Sequence, residues 1–336
     1  MLKNKQGGFT LLELLVVITL LALLSVGALV AYDGVGDNAS STAAANNMQT
    51  VDRTIRQYNA VTGNYPNQWD VLSDALDATL PFDGITAVDA AAADDDEVIL
   101  PKAARAAFGG WNIAGAGAVG TKVLDVLADY GIDELQVVSL ATAGTLTGNA
   151  LPNTAHNEGA NPESSEVEAD DLVGAGGSDA FGAISIFPAG AGCQAGGQPI
   201  DANFDGVAEV SGTQLLRINA INDFLEDRTC NLILAMGFGG DAGKSMQNSS
   251  VQMTSSPTYA SRSINPAVNY GRFVGLFHMG AGPEDDVTDL NDPAPMVAAQ
   301  HITQESEIFN KPRLIAILTP EGKTLDEVLA EAVAAN

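Results

Sequence analysis

Apolar residues fill the start of the chain. From Phe9 to Tyr32 the only charged side chain is Glu13. A helix of that length extends about 36 Å, which exceeds the roughly 30 Å thickness of the hydrocarbon core of a bilayer. The pattern therefore predicts a membrane-spanning helix over residues 9–32.

A second apolar pattern, with helical spacing, follows this segment. It repeats every three or four residues and defines one face of an amphipathic continuation of the helix over residues 33–61. Its members are Ala44, Met48, Val51, Ile55 and Tyr58. Because glycine weakens a helix interior by about 1 kcal/mol, we expect bending or local melting near Gly27, Gly34 and Gly36.

The remainder of the chain alternates helical and strand patterns with polar segments. Gly63 ends the long helix, Pro66 prevents its resumption, and Trp69, Leu72 and Leu76 predict a short helix. Further helices are predicted at 121–130, 214–226 and from a capping box at 324 to 333, and strands at 135–140, 231–236, 272–279 and 313–318. Residues 81–110 are predicted to form an exposed, partly irregular segment, and residues 144–180 a long surface loop. These elements favour an α+β fold. We expect the long N-terminal helix to pack on a mostly antiparallel sheet with inserted helices and loops, and residues 62–336 to form an exported acidic globular domain.

A short basic segment precedes the apolar run. Residues 1–8 contain Lys3 and Lys5 and end in Gly8. An ordinary secretory signal is cleaved after its apolar stretch, whereas this candidate leader stands in front of it. By the positive-inside rule the lysines hold the leader in the cytoplasm, so the residues beyond Tyr32 are exported. We expect a single-pass inner-membrane precursor with a cytoplasmic N-terminus.

Glu13 is expensive in an apolar span, because an ionised carboxylate at the bilayer centre costs about 2.5–3.5 kcal/mol even on insertion scales. It needs a partner, or it must reach the interface as in a plain membrane anchor. The segment from Lys5 to Ile18 resembles the processing and methylation signature of type IV prepilins and type II secretion pseudopilins. The resemblance implies that a prepilin peptidase cuts between Gly8 and Phe9 and methylates the new amine. It also implies that Glu13 pairs with the Phe9 amine of a neighbouring subunit, which checks the register of assembly.

A second resemblance lies at the end of the long helix. The turn Gly63-Asn-Tyr65-Pro66 and the apolar segment after it are similar to the major pseudopilin of type II secretion, over about residues 58–80. The family fold, a long helix packed against a sheet, agrees with the α+β expectation.

The two resemblances imply a structural subunit of a type IV pilus or a type II secretion pseudopilus. Its partners would be like subunits in a homopolymer, prepilin peptidase, the inner-membrane assembly machinery, and membrane lipid before assembly. Its final location would be a periplasmic or extracellular filament. One alternative is a minor or tip subunit whose enlarged domain binds a ligand or a surface. The other is an exported enzyme with a pilin-type anchor.

The sequence gives little support to the enzyme alternative, and we expect no catalytic residues. No Gly-x-Ser-x-Gly elbow occurs, and no two of the three histidines have helical metal-ligand spacing. The run Gly115-Ala-Gly117-Ala-Val-Gly120 matches a dinucleotide fingerprint, but the acidic residue expected after the next strand is missing. We interpret it as a small-residue turn that packs a helix on the sheet.

Acidic residues outnumber basic ones, with 42 Asp and Glu against 15 Lys and Arg and a net charge of -27. Removal of the leader with its two lysines changes the balance to 13 − 42 = −29. Nucleic acid is excluded as a partner, because its phosphates require a concentrated basic surface. Such acidity instead favours divalent cations.

One acidic segment has the alternating oxygen ligands and the central glycine of a calcium loop. Its candidate ligands are Asp201, Asn203, Asp205, Val207 and Glu209. Gly212 replaces the twelfth-position Glu of an EF-hand, so the loop would be of a shorter, different type. A solvated acidic turn remains the alternative, and the loop at Asp285–Asp292 is a weaker candidate.

Cys193 and Cys230 are the only cysteines. In an oxidising compartment we expect them to form a disulfide, with two free buried thiols as the alternative.

Overall fold

The computed structural model describes residues 11–72, 100, 107–136, 166–168, 183–187, 193–202, 229–253, 255–259, 261, 264, 270–283 and 301–334. The chain divides into two compact units. One comprises Asn46–Leu325, and the other comprises the residues before Asn46 and after Leu325.

The first element is one long helix, α1, which runs over Leu11–Thr62. At 1.5 Å per residue it is about 78 Å long. Val51 and Ile55, two members of the predicted apolar stripe, are fully buried. The helix ends as predicted at Gly63, which adopts φ 82° and donates its N–H to Asn59 O at 2.9 Å.

Ten strands in the described residues form a mixed, mostly antiparallel sheet. They are β1 (Trp69–Val71), β2 (Gly109–Asn112), β3 (Glu134–Gln136), β4 (Glu166–Glu168), β5 (Ala183–Ile186), β6 (Gln194–Ala195), β7 (Gln198–Ala202), β8 (Asn231–Gly237), β9 (Val274–Ala281) and β10 (Ile308–Leu318). The order is β4-β3-β1-β8-β5-β2-β7-β6, and β9 pairs with β8 and β10. Among the pairs formed by these described strands, only β1 with β3 is parallel. The α+β expectation is therefore confirmed.

Three further α-helices and one 3₁₀ turn occur in the described residues. They are α2 (Gly117–Asp129), α3 (Gly240–Ser245), the 3₁₀ turn Glu305–Glu307, and α4 (Leu325–Ala334). Helix α2 places its apolar residues against the sheet, including fully buried Val123 and Leu127. The predicted helix at 214–226 lies outside the described residues.

The sheet unit is organised around aromatic residues at the centre of the sheet. Strand β8 is buried along its whole length. The Trp69 ring meets the Phe277 ring edge-on at 4.9 Å and the Phe238 ring at 5.2 Å. Gly275 makes room for this contact, because a Cβ there would lie 2.7 Å from the Trp69 ring. Such close packing fixes β1 against β8 and β9.

Three local predictions are wrong. Trp69 and Leu72 do not belong to a helix, since residues 69–71 form β1 between β3 and β8. Backbone pairing with distant strands decides this segment, which is shorter than one helical turn. The surface loop predicted at 144–180 contains β4, which is held by its pairing with β3. The exposed segment predicted at 81–110 ends in buried Phe108 and the first residues of β2, which pairs with β5 and β7.

Helix α1 also continues unbroken through Gly27, Gly34 and Gly36, where local melting was expected. The hydrogen bonds of a helix need no side chain, and a cost of about 1 kcal/mol for each glycine is too small to break so long a helix.

Candidate assembly site

The first part of α1 is apolar on every side. Residues Leu11–Leu29 are long and hydrophobic enough to cross a membrane, and none of this span is buried. The exposed fractions of its large apolar residues range from 44% at Val16 to 84% at Leu11. Successive helical positions are 100° apart, so exposure at consecutive residues means that the described part of the chain covers no face of this helix.

Burial of a large apolar side chain contributes about 1.5–3 kcal/mol. Thirteen such side chains are exposed between Leu11 and Leu29. Their combined contribution would exceed the total stability of a typical domain, which is about 5–15 kcal/mol. This segment therefore requires a cover that the described residues do not supply.

The hydroxyl groups within the span hydrogen-bond to the backbone of the helix. Thr19 Oγ1 donates to Val16 O at 2.9 Å, and Ser25 Oγ donates to Leu21 O at 2.7 Å. Neither hydroxyl needs water or an external acceptor, so both tolerate an apolar environment.

Glu13 is the one charged residue of the span, and it lies exposed in the first turn of α1. Peptide dipoles place partial positive charge at the start of a helix, which favours a carboxylate at this position. Gly8 and Phe9, the predicted cleavage site, lie outside the described residues.

Residues 3–29 match the prokaryotic N-terminal methylation motif. This motif is the signature of type IV pilins and pseudopilins. The motif implies processing by a prepilin peptidase and handling by pilus or secretion assembly machinery, and the apolar helix fits a membrane-anchored precursor. No curated protein and no solved structure matched the chain.

The turn after α1 holds the edge of the sheet. The Tyr65 hydroxyl donates to Pro312 O at 3.3 Å and accepts from Leu314 N–H at 3.2 Å, so it serves two backbone groups of β10. Its ring meets Phe277 edge-on at 5.1 Å. Burial raises the pKa of Tyr65, which keeps the donor proton in place. The turn singled out in the sequence thus anchors β10.

Arg56 makes a second link between α1 and β10. Its Nη1 donates to Leu314 O at 3.2 Å, while its Nε is 2.8 Å from Asp52 Oδ1. Strand β10 pairs with β9 along one edge, and these contacts occupy backbone groups on its other edge. Side-chain protection of this kind limits uncontrolled strand addition.

Cys193 and Cys230 are joined by a disulfide, with their Cα atoms 5.2 Å apart. Cys193 lies beside the β6–β7 hairpin and Cys230 immediately before β8, and both are fully buried. The bond links the hairpin to the central strand. Of the calcium candidates, Asp201 lies in β7 and pairs with Gly110 of β2. The other four, residues 203, 205, 207 and 209, lie outside the described residues, as does the acidic loop at 285–292.

The glycine run before α2 is filled by protein. Gly196, in the β6–β7 turn, approaches so closely that a Cβ on it would lie 2.3 Å from Ala116 O. The Gln198 amide donates to Gly115 O at 3.2 Å. Inside α2, a Cβ on Gly120 would lie 2.2 Å from Ile113 O. The glycines permit close packing, as the small-residue interpretation requires, and a pyrophosphate would have to displace the hairpin.

Two of the histidines lie in the described residues. His278 is buried in β9 and His301 is half-buried before β10, and no metal-binding group of three or more His, Cys, Asp or Glu occurs in the described part of the chain.

Sequence reasoning missed a buried polar pair. The Tyr270 hydroxyl donates to Asp70 Oδ2 at 2.5 Å, and both residues are at least 98% buried. Burial first, and then the Asp70 charge and hydrogen bond, raise the pKa of Tyr270. Gly239 gives the carboxylate its space, because a Cβ there would lie 2.3 Å from both Asp70 oxygens. Asp70 interrupts the apolar run Trp69–Leu72, and this was the signal in the sequence that could have pointed to a buried polar pair.

Proposed function

We propose that this protein is a structural subunit of a type IV pilus or a type II secretion pseudopilus, assembled through its N-terminal helix. The observation that carries the proposal is the fully exposed apolar span Leu11–Leu29, which coincides with a methylation motif. Lipid covers this span before assembly, and the helices of neighbouring subunits cover it afterwards. Hydroxyl groups bonded within the helix suit both environments.

Cleavage between Gly8 and Phe9 would free the amine that Glu13 needs. Glu13 would then be the fifth residue of the mature chain, and its carboxylate would pair with the methylated Phe9 amine of a neighbour. Two opposite charges in an apolar surrounding compensate each other only when they meet, so subunits in the wrong register would be rejected.

Leader processing is tested first. Gly8→Leu should leave a full-length precursor in the membrane fraction, and Gly7→Leu serves as the matched control one residue further from the proposed bond. Mass spectrometry of the N-terminus reports the cleavage site and the methyl group. Normal processing of the Gly8 variant would refute the leader assignment.

Assembly is tested separately with Glu13→Gln, which removes the charge and nearly preserves the side-chain shape. We expect normal cleavage and methylation but a loss of filaments on electron microscopy, with Thr19→Val as a neutral control in the same span. Wild-type-like filaments from Glu13→Gln would refute the pairing. Imaging of purified filaments, with subunit copy number by mass spectrometry, separates pilus from pseudopilus and major from minor subunit.

A further inference from the structure

Strand β10 carries two cations that are each held over an aromatic ring. The Lys311 Nζ lies 5.3 Å from the centroid of the Tyr130 ring, at the end of α2. The Arg313 guanidinium lies 4.4 Å from the centroid of the Phe309 ring. Both cationic residues are exposed, and Phe309 is half-buried.

The two cationic residues lie two positions apart in β10, beside an irregularity in its pairing with β9 between Ile308 and Arg313. Tyr65 and Arg56 already occupy the backbone groups of Leu314 at this edge of the sheet. A new partner would therefore meet the side chains of β10 and not free backbone groups.

Neither cation forms an ion pair with a carboxylate in the described part of the chain. Stacking on a ring limits the rotamers of a long side chain, and a stacked guanidinium still presents its N–H groups to a carboxylate. Lys311 and Arg313 are therefore positioned to receive carboxylates, and no described residue supplies one.

We propose that Lys311 and Arg313 form a docking strip for the acidic surface of a second copy of this chain. This inference rests on the proposed function, because it supplies a contact between globular parts in the filament. Charge complementarity favours a second copy, since each copy carries a net charge of -27 and therefore offers many carboxylates. Contacts of this kind add orientation and specificity to an association driven by the apolar helices.

The first experiment uses full chains labelled separately with light and heavy nitrogen, mixed in detergent and allowed to assemble. A carbodiimide then couples amines to carboxylates that are in direct contact. We expect mixed-isotope crosslinks at Lys311 and none at Lys122, a half-buried lysine on α2 that is not stacked on a ring. If the crosslinks at Lys311 are absent or all within one chain, the proposal is wrong.

The second experiment compares matched double neutralisations in the full chain. K311Q/R313Q should weaken self-association about fivefold at low salt, while K122Q/R53Q, which loses the same charge, should stay within about twofold of wild type. The difference should vanish at about 1 M salt, where exposed charges are screened. R313K keeps the positive charge but lacks the planar guanidinium. We expect its self-association to lie between that of wild type and that of K311Q/R313Q.

Equal association of the two double variants would overturn the docking strip. That outcome is distinct from failure of the proposed function, in which the wild-type chain itself would not be processed or would not assemble.

Discussion

His278 is neutral inside the folded sheet and should make stability depend on pH. It lies in β9 opposite Ile233 of β8 and Arg313 of β10, with only 7% of its surface exposed. No described residue hydrogen-bonds to its Nε2. The pKa of His278 is lowered from 6.5 to about 4, chiefly because the ring is buried; a backbone hydrogen bond at Gly280 opposes this shift, and the charge of Arg313 adds to it.

The direction in which stability changes with pH follows from proton uptake by the unfolded chain. Unfolded His278 takes up its proton near pH 6.5, whereas the folded protein takes it up only near pH 4. Between these values the unfolded state binds more protons, so the stabilisation is complete above pH 6.5 and is lost as the pH falls towards 4. The difference between the two pKa values corresponds to about 3 kcal/mol.

Tryptophan fluorescence provides a selective assay. The chain contains two tryptophans, Trp69 and Trp111, and both are fully buried in the sheet unit. Urea unfolding of the full chain in detergent, followed by this signal at pH 7.5 and pH 4, gives the free energy of unfolding of that unit. Carboxylates contribute to the change as well, so the comparison is between wild type and His278→Gln, which share those carboxylates.

We expect wild type to lose about 3 kcal/mol more than His278→Gln between the two pH values. His301→Gln is the control. Burial also lowers the pKa of His301, but this residue is only half-buried, so its removal should change the pH dependence less. Parallel pH profiles for wild type and His278→Gln would refute the reasoning, whatever the absolute stabilities.

Three further predictions concern the sheet unit. Tyr65→Phe leaves two backbone groups of β10 without a partner and should cost about 1–3 kcal/mol in urea unfolding, while Tyr58→Phe should change little; equal effects would argue against the anchoring role. Replacement of Cys193 and Cys230 by Ala opens a link across 37 residues and should lower stability by about 4 kcal/mol on the chain-entropy estimate, and an unchanged urea midpoint would contradict this. If calcium binds the loop at 201–209, chelation should lower the melting temperature of wild type and leave Asp205→Ala unaffected; no effect on wild type would support a solvated turn.

The sequence predicted those elements whose signal is local. The stripe through Val51 and Ile55 has helical spacing because one side of α1 is buried along its second half, and the glycine after Thr62 marks its end. Strands β8 and β9 were predicted at nearly their observed bounds, because both are buried along almost their full length and appear as short apolar runs. The N-terminal motif is local as well, since leader, apolar span and carboxylate follow each other within 29 residues.

Elements that depend on distant partners were not predictable in the same way. Strand β1 has three residues, and its pairing partners are Leu135 and Gln136 of β3 and Met236 and Gly237 of β8. Asp70 meets Tyr270 across 200 residues of sequence. Lys311 and Tyr130 are likewise far apart in the chain, and neither residue signals a stacking partner by itself. Contacts of this kind form only when distant parts of the chain come together in the sheet.

Under the proposed function, the apolar span and Glu13 together decide whether the subunit stays in the membrane or enters the filament. Lipid and neighbouring helices are both apolar covers, so the leucine-rich surface gains little by moving from one to the other. The carboxylate does distinguish them, because in lipid it costs up to about 2.5–3.5 kcal/mol, whereas beside a neighbour's amine it is compensated. A difference of that size corresponds to about a hundredfold change in an equilibrium constant. Glu13→Gln should therefore shift the subunit from filament to membrane by up to about that factor, while variants of comparable size elsewhere in Leu11–Leu29 should leave the partition nearly unchanged.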